Sequence, residues 1–261
     1  MNANAEPKTA AAEPLLVIER APPIARITLN RAAKYNTLSA AMIAALREAL
    51  AALAGDAQVR AIVLAAEGKA FSAGHDLTEL GADRSVAELR ALFADCSELM
   101  LAIQRQPQPV IARVQGVATA AGCQLVAMCD LAVASSTARF AVSGINLGLF
   151  CSTPAVALSR NVPRKPALEM LLTGDFIDAA TARERGLVNR VVAPEALDEE
   201  VARLTAAIAA KSAAAVAAGK RLFYEQLELG IAPAYARAGE VMACNAVEPD
   251  ARRGIAAFTK R

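Results

Sequence analysis

Two segments rich in glycine and alanine are the part of this sequence best suited to chemistry. The first, residues 68–77, includes Gly74 and His75, and the second, residues 115–124, includes Gly122. Small side chains let the main chain lie close to a ligand. The second segment also leads into a predicted helix, whose first main-chain N–H groups lack an internal partner and carry partial positive charge. Together the segments could stabilise negative charge on a substrate oxygen, although either alone more often serves close packing.

Few side chains near these segments could take part in a reaction. His75 is the only histidine, and a histidine ordinarily titrates near neutral pH, so a catalytic or substrate-contacting role competes with a structural one. Asp76 is expected to cap a helix that follows it. Cys151 precedes a predicted helix and could place a thiol over the ligand, although cysteines more often serve as small buried hydrophobic residues. The other candidates are Cys123, Ser152 and Thr153.

The composition excludes several classes of protein. Lys and Arg number 28 against 26 Asp and Glu, and no basic run occurs, so a nucleic-acid partner is not expected. The longest apolar stretch, residues 114–128, is interrupted by Gln115 and Gln124, so we expect no insertion into a membrane. Five cysteines without a CxxC pair and a single histidine favour neither disulfides nor a metal site.

Residues 1–14 lack the features of a leader peptide, so we expect a flexible tail and a cytoplasmic location.

Hydrophobic periodicity predicts an alternation of strands and helices, which is typical of an α/β protein with a partly parallel sheet. The branched runs 15–19 and 24–30 indicate a hairpin, and Ser39 is expected to cap a helix that ends at Gly55. Further strands are expected at 61–65, 109–114, 131–134, 139–142 and 187–192. Further helices are expected at 85–104, 120–129, 154–160 and 166–172, with a short one between Asp178 and Gly186.

The strand signal ends near Pro194, and the rest of the chain is rich in Ala, Leu, Glu, Lys and Arg. We therefore predict a tail at residues 1–14, an α/β core at 15–193 and a helical region at 194–261. The alanine-rich faces of the last region fit either packing against the core, which composition favours, or a subunit interface.

Five motifs occur in the order typical of the crotonase family, which is also called the enoyl-CoA hydratase/isomerase family. The resemblance covers residues 15–260 and implies a spiral of ββα units with a C-terminal helical region that forms trimers or dimers of trimers. It also implies an acyl-CoA substrate, with no cofactor other than the coenzyme A of that substrate. The motifs are Ile27-Thr28-Leu29-Asn30-Arg31 with residues 34–39, Phe71 to Leu77, Val114-Gln115-Gly116, Leu172 to Asp175, and Gly186-Leu187-Val188.

The resemblance also assigns roles to individual residues. The main-chain N–H groups of His75 and Ala121 would hold the thioester oxygen and stabilise an enolate-type oxyanion. Gln124 and Gly144 match the two catalytic glutamates of family hydratases, and segments within residues 148–165 are similar to one subgroup that lacks both. The residues expected to contact the acyl-CoA are Lys34, Asn36, Leu38, Ser72, Ala73, Asp76, Leu77, Gly144, Cys151, Phe258 and Lys260, the last two through the nucleotide of a neighbouring subunit.

The absence of both glutamates limits the expected chemistry. No Glu occurs between Glu98 and Glu169, and the only Asp in that span is Asp130, so a small shift in register cannot restore the pair. Hydration needs a base and an acid, and neither an amide nor a glycine supplies them. The leading interpretation is an acyl-CoA enzyme that uses the oxyanion hole alone, for isomerisation, decarboxylation or slow thioester hydrolysis. The alternatives are a non-catalytic acyl-CoA-binding scaffold and a hydratase in which Gln124 and His75 position the water.

Overall fold

Ten strands in two sheets form the framework of residues 13–81 and 83–259, which are the residues described by the computed structural model. The strands are β1 (Leu16–Ala21), β2 (Ile24–Leu29), β3 (Ala61–Ala66), β4 (Ala70–Ser72), β5 (Val110–Val114), β6 (Val117–Thr119), β7 (Leu131–Ser135), β8 (Arg139–Ala141), β9 (Ile177–Asp178) and β10 (Arg190–Val192). One sheet has the order β1-β2-β3-β5-β7-β10, and the other has the order β4-β6-β8-β9. The predicted tail, residues 1–14, lies almost entirely outside the described residues.

The same residues form ten α-helices. Ser39 caps the first of them as predicted, because its hydroxyl accepts a hydrogen bond from the Met42 N–H at 3.2 Å. The helices are α1 (Ala40–Ala54), α2 (Val86–Arg105), α3 (Ala121–Met128), α4 (Ser152–Asn161), α5 (Arg164–Thr173), α6 (Ala179–Glu184), α7 (Leu197–Ala209), α8 (Ala213–Leu227), α9 (Ile231–Ala246) and α10 (Pro249–Thr259).

From β3 to β8, successive strands alternate between the two sheets. β3, β5 and β7 lie in the larger sheet, and each is followed at once by a strand of the smaller sheet, namely β4, β6 and β8. Each of these pairs then leads into a helix, and neighbouring strands of the three pairs run parallel within their sheets. The arrangement confirms the α/β class and the spiral of ββα units.

The continuous apolar sequence of β3 reflects a sheet that is covered on both faces. Ile62 packs into the main core, whereas its neighbour Val63 packs on the opposite face against Leu197 of α7. Asp198, in the first turn of α7, accepts two hydrogen bonds from the Arg113 guanidinium of β5 at 2.7 and 2.6 Å. These contacts fix α7 across the outer face of the larger sheet.

A buried ion pair joins α8 to this core. The Lys220 ammonium donates to Asp130 Oδ2 at 2.6 Å and to the carbonyls of Ile103 and Gln108 at 2.9 and 3.1 Å. The Tyr224 hydroxyl donates to the other carboxylate oxygen of Asp130 at 2.8 Å. Burial raises the pKa of Asp130 and lowers the pKa of Lys220, and the pairing of the two charges opposes both shifts.

The chain after β10 is helical as far as it is described, which confirms the predicted helical character of the C-terminal region. Many large apolar side chains of this region are exposed, including Phe223, Leu227, Leu229, Ile231, Tyr235, Met242, Val247, Ile255 and Phe258. Within the described residues, no single helix has both the length and the hydropathy to cross a membrane; only the pair Pro194–Ala209 and Ala213–Leu227, bent by 103°, meets both measures when joined.

Candidate active site

The candidate site lies where three neighbouring strands of the smaller sheet end. β4, β6 and β8 run parallel, so their carboxyl ends meet at one edge of that sheet. The loops that leave this edge are residues 73–77, residues 120–121 at the start of α3, and residues 142–151 before α4. The order of the strands in the sheet therefore brings the three loops together.

The loop after β4 is held in place by the segment before α1. The Leu38 N–H donates to the Gly74 carbonyl at 2.8 Å, and the Ala73 N–H donates to the Tyr35 carbonyl at 3.0 Å. The Gly74 N–H donates to the Ser72 hydroxyl at 3.2 Å. Because the main chain is fixed on both sides of Gly74, the main-chain N–H of His75, which follows, has a defined orientation.

Asn36 holds the same segment from inside. Its side-chain oxygen accepts from the Arg31 N–H at 2.9 Å, and its amide nitrogen donates to the carbonyls of Glu67 and Ala70 at 2.8 Å each. Its own carbonyl accepts from the Ser72 hydroxyl at 2.8 Å. Asn36 and Ser72 were expected to contact substrate, but the structure uses both side chains for buried internal hydrogen bonds.

Gly74 marks the contact between the loops after β4 and β6. Its φ is +88°, and a Cβ there would lie 3.0 Å from the Ala121 nitrogen, 3.0 Å from the Thr119 carbonyl oxygen and 2.9 Å from the Ala120 Cβ. A side chain at Gly74 is therefore excluded by both conformation and space. Ala120 has a φ of +50° although it carries a Cβ, so the turn into α3 is strained.

The main-chain N–H groups of His75 and Ala121 donate to no protein acceptor within residues 13–81 and 83–259. Ala121 is the first residue of α3, where the helix itself provides no acceptor for that group. A Cβ built on Gly74, the residue before His75, would stand 3.0 Å from the Ala121 nitrogen, so the loops that carry the two donors are adjacent.

Both residues line a cavity of about 270 Å³. Six of the predicted site residues line it, and no Lys, Arg, Asp or Glu does so within the described chain. The wall also contains residues that the sequence did not indicate as a site, on α2 and in the loop before α4. The predicted lining residues are Ala73, His75, Leu77, Ala121, Gly144 and Cys151, joined by Ser152 and Thr153; the others are Leu80, Phe93, Ala120, Ser143, Leu147, Leu149, Phe150 and Pro154.

Cys151 and Gly144 pack tightly in the third wall of the cavity. The Gly144 N–H donates to the Cys151 sulfur at 3.3 Å, and the Gly144 carbonyl accepts from the Leu149 N–H at 3.0 Å. A Cβ on Gly144 would lie 2.7 Å from the Cys151 sulfur and 2.6 Å from the Leu149 carbonyl oxygen. Burial raises the pKa of the Cys151 thiol, and the hydrogen bond from Gly144 opposes this.

His75 has an apolar environment. Its ring packs edge-on against Phe93, with ring centres 5.4 Å apart and an interplanar angle of 80°. Burial lowers the pKa of His75, while the nearby Leu38 carbonyl and the Glu79 carboxylate act in the opposite direction. The imidazole is therefore neutral at neutral pH.

Several predicted site residues lie away from the cavity wall. Leu38 and Cys123 are buried, and burial raises the pKa of the Cys123 thiol to about 12, so this thiol is not reactive. Gln124 is buried one helical turn after Ala121, and its side-chain oxygen has no partner in the described chain. Lys34 is exposed near Asp76, Phe258 is exposed on α10, and Lys260 lies outside the described residues.

One expectation about this loop was wrong. Asp76 does not cap a helix, because residues 77–80 form turns and the next helix begins only at Val86. The Asp76 carboxylate instead accepts from the N–H and the hydroxyl of Thr78 at 3.0 and 2.7 Å, which lowers the pKa of Asp76. Its side chain therefore stabilises the loop that carries His75.

Within the described residues, no group of three or more His, Cys, Asp or Glu side chains is placed to hold a metal ion. The groups that could take part in a reaction here are main-chain N–H donors, one imidazole, one thiol and several hydroxyls. This set can polarise a carbonyl oxygen, but in the described wall it has no carboxylate to transfer a proton.

The chain matches the family model described as enoyl-CoA hydratase/isomerase over residues 19–261. A Rattus norvegicus protein named enoyl-CoA hydratase domain-containing protein 3, mitochondrial, is 46% identical over 238 residues, which are 91% of this chain and 79% of the relative. The crystal structure of an enoyl-CoA hydratase from Mycobacterium smegmatis is 61% identical with a TM-score of 0.93, and the match covers 95% of this chain and 97% of that one.

The crystal structure of human enoyl-CoA hydratase domain-containing protein 3 is 44% identical with a TM-score of 0.92, and the match covers 95% of this chain and 98% of that one. These relatives confirm the resemblance to one subgroup that residues 148–165 indicated. The name of the rat relative places that protein in mitochondria, so it gives no support to the cytoplasmic location expected for this chain.

Proposed function

The chain belongs to the enoyl-CoA hydratase/isomerase family, and on this basis we propose that it binds an acyl-CoA thioester between the main-chain N–H groups of His75 and Ala121. The observation that supports the proposal most is that these two groups, unpartnered in the described chain, border one cavity on loops that touch at Gly74. A donor of this kind typically contributes roughly 100- to 1000-fold in rate when charge develops on the bound oxygen. Such a site favours reactions that pass through an enolate or a related oxyanion.

The proposed reaction uses these donors without a pair of carboxylates. General acid and base groups contribute roughly 100- to 10,000-fold each, so a site that lacks both should hydrate an enoyl-CoA only in traces. Isomerisation, decarboxylation of a malonyl-type thioester and slow thioester hydrolysis need fewer acid and base groups than hydration does. A true hydratase would have to use His75 and Gln124 to position water, because the described cavity wall has no carboxylate to act as base or acid.

Oligomerisation through the C-terminal helices is part of the proposal. Large apolar side chains of α8, α9 and α10 are exposed, such as Phe223, Ile231 and Met242, and exposed apolar surface of this kind can mark a subunit interface. Burial of these side chains between copies would stabilise a trimer or a dimer of trimers. Light scattering coupled to gel filtration should give at least the mass of a trimer, and a monomer at micromolar concentration would contradict the proposal.

A panel of crotonyl-, malonyl- and butyryl-CoA, assayed for turnover and for binding by calorimetry, tests the proposed function. We expect butyryl-CoA to bind more tightly than free CoA, and at least one thioester to be converted. Ala121→Pro removes one donor at the first position of α3 and should lower turnover by about 100-fold. Because Ala120 has a φ of +50° and a ψ of −123°, which a following proline disfavours, the urea midpoint of this variant is compared with that of the parent chain. Ala213→Pro, at the same position of α8, is the matched control and should leave turnover unchanged.

Binding without any turnover would overturn the enzymatic proposal and favour an acyl-CoA-binding scaffold. Crotonyl-CoA hydration at an ordinary rate would contradict the expected effect of the missing carboxylates. Equal turnover by Ala121→Pro and Ala213→Pro would show that the Ala121 N–H has no role.

A further inference from the structure

The ring of His75 has unmet hydrogen-bonding capacity. Both ring nitrogens are buried, and neither has a hydrogen-bond partner among the described residues. A neutral imidazole has one N–H donor and one lone-pair acceptor, and leaving both unpaired away from water destabilises the folded state. Buried polar groups without partners are uncommon in folded proteins, so this ring requires an explanation.

The neighbours of the ring do not provide that partner. The Leu38 carbonyl and the Glu79 carboxylate both lie close enough to raise the pKa of His75, but neither is in hydrogen-bond geometry with a ring nitrogen, and Glu79 accepts instead from the Ala40 N–H at 2.8 Å. Phe93 covers one side of the ring with an apolar edge contact. The Ser143 hydroxyl, on the same cavity wall, is paired with the Thr119 hydroxyl at 2.8 Å. His75 lines the cavity although its ring nitrogens are shielded, so a rotation of the ring would bring a nitrogen to a ligand there.

A second unmet group lies behind the same wall. Gln124 is 5% exposed, and its side-chain oxygen has no hydrogen-bond partner within the described residues. It follows Ala121 by three positions, so it lies on the same face of α3 as the residue that lines the cavity. Of the residues with buried, unpaired polar atoms in the described chain, only His75 lines the cavity.

We propose that the His75 imidazole binds the acyl-CoA directly, through a hydrogen bond to an uncharged polar group of the ligand. This inference rests on the proposed function and adds a side-chain contact to the main-chain one. The ligand group should be uncharged, because a buried carboxylate needs a cationic partner and no Lys or Arg of the described chain lines the cavity. A hydroxyl on the acyl chain and the amides of the CoA arm share the required chemistry.

The single histidine makes a direct test possible. In a chain without a histidine tag, 15N-labelled histidine gives signals from His75 alone, and these report the hydrogen bonding of each ring nitrogen. Spectra are compared for the free protein and with CoA, butyryl-CoA, 3-hydroxybutyryl-CoA and succinyl-CoA, each at saturation measured by calorimetry. We expect at least one ring nitrogen to shift on binding, and succinyl-CoA to bind at least tenfold more weakly than butyryl-CoA.

The four ligands separate the sources of the contact. An equal shift with CoA and with the thioesters would assign the contact to the CoA arm, and a shift with 3-hydroxybutyryl-CoA alone would assign it to an acyl hydroxyl; both support the proposal. Unchanged ring signals with binding intact, or succinyl-CoA bound as tightly as butyryl-CoA, would overturn it. No binding of any thioester would overturn the proposed function as well.

Two variants keep the test independent of the spectra. His75→Phe retains the main-chain N–H and the packing against Phe93 but removes the polar ring, and should weaken binding by about tenfold. His75→Gln restores a donor and an acceptor, and should recover part of that loss. Equal affinity of His75→Phe and the parent chain would contradict a side-chain contact.

Discussion

The Cys151 sulfur lies 2.7 Å from the point where a Cβ on Gly144 would stand, so the cavity wall has no room for a side chain at residue 144. The Leu149 carbonyl oxygen closes the same space at 2.6 Å. Gly144 is the position at which the family resemblance expects a catalytic glutamate. The wall thus has no room for the glutamate side chain that the resemblance expects at this position.

Substitution of Gly144 should therefore be harmful. Gly144→Ala should lower the free energy of unfolding by about 1 to 3 kcal/mol, because the new methyl group overpacks the wall. Gly144→Glu should not restore hydration of crotonyl-CoA. Urea denaturation and a hydration assay measure the two effects. Gly219→Ala on α8, where no atom lies within 4 Å of the added methyl group, is the control and should stabilise by about 1 kcal/mol.

The ion pair of Lys220 and Asp130 should be essential to the docking of α8. Lys220→Met leaves the Asp130 carboxylate buried without its cation, and should lower the free energy of unfolding by about 3 to 5 kcal/mol. The exposed Lys165 gives the matched control, since Lys165→Met should change the same quantity by less than about 0.5 kcal/mol. Similar unfolding midpoints in urea for the two variants would contradict this account.

His75 should make stability depend on pH just below neutrality. Burial holds the pKa of His75 in the folded chain below its ordinary value of 6.5, so below pH 6.5 the unfolded chain binds a proton more readily than the folded one. The free energy of unfolding should be constant above pH 6.5 and should fall as the pH is lowered from 6.5 towards the folded pKa. Urea midpoints measured from pH 8 to pH 5 should show this slope in the parent chain and a flatter profile in His75→Gln.

The turn before α3 offers a test of local strain. Ala120→Gly should raise the free energy of unfolding by about 1 kcal/mol, because glycine adopts the φ of +50° without the steric cost of a Cβ. Ala44→Gly, on the exposed face of α1, should have the opposite sign and lower it by about 0.5 to 1 kcal/mol. Destabilisation by both substitutions would show that the turn at Ala120 is not strained.

Much of the larger sheet and its helices follows from local sequence. Strands such as β3 are runs of branched and small apolar residues that are long enough to be recognised as strands. The helix α1 has a capping serine and an apolar residue at each turn. The sequence does not predict the strands β4 and β6 and indicates loops at both positions. Each has only three residues, Ala70–Ser72 and Val117–Thr119, too few for an alternating pattern, so their pairing is decided by the fold.

Some residues of the predicted site line the cavity and others do not, and substrate contact by any of them stays a prediction. His75 and Ala121 belong to recognisable loops, and both line the cavity. Phe93 lies beside the buried face of α2. The spacing of apolar residues along a helix does not distinguish an aromatic residue that faces a cavity from one that faces the core. Asn36 was expected at the substrate because of its motif, but its side chain holds the loop from within.

The vibration of the thioester carbonyl tests the central claim most directly. Butyryl-CoA labelled with 13C at that carbonyl, bound to the protein and observed by infrared difference spectroscopy, should absorb at a lower frequency than in water. The shift should be reduced in Ala121→Pro and kept in Ala213→Pro, since only the first loses a donor at the cavity. A bound carbonyl at the same frequency as the free one would contradict the account that His75 and Ala121 polarise it.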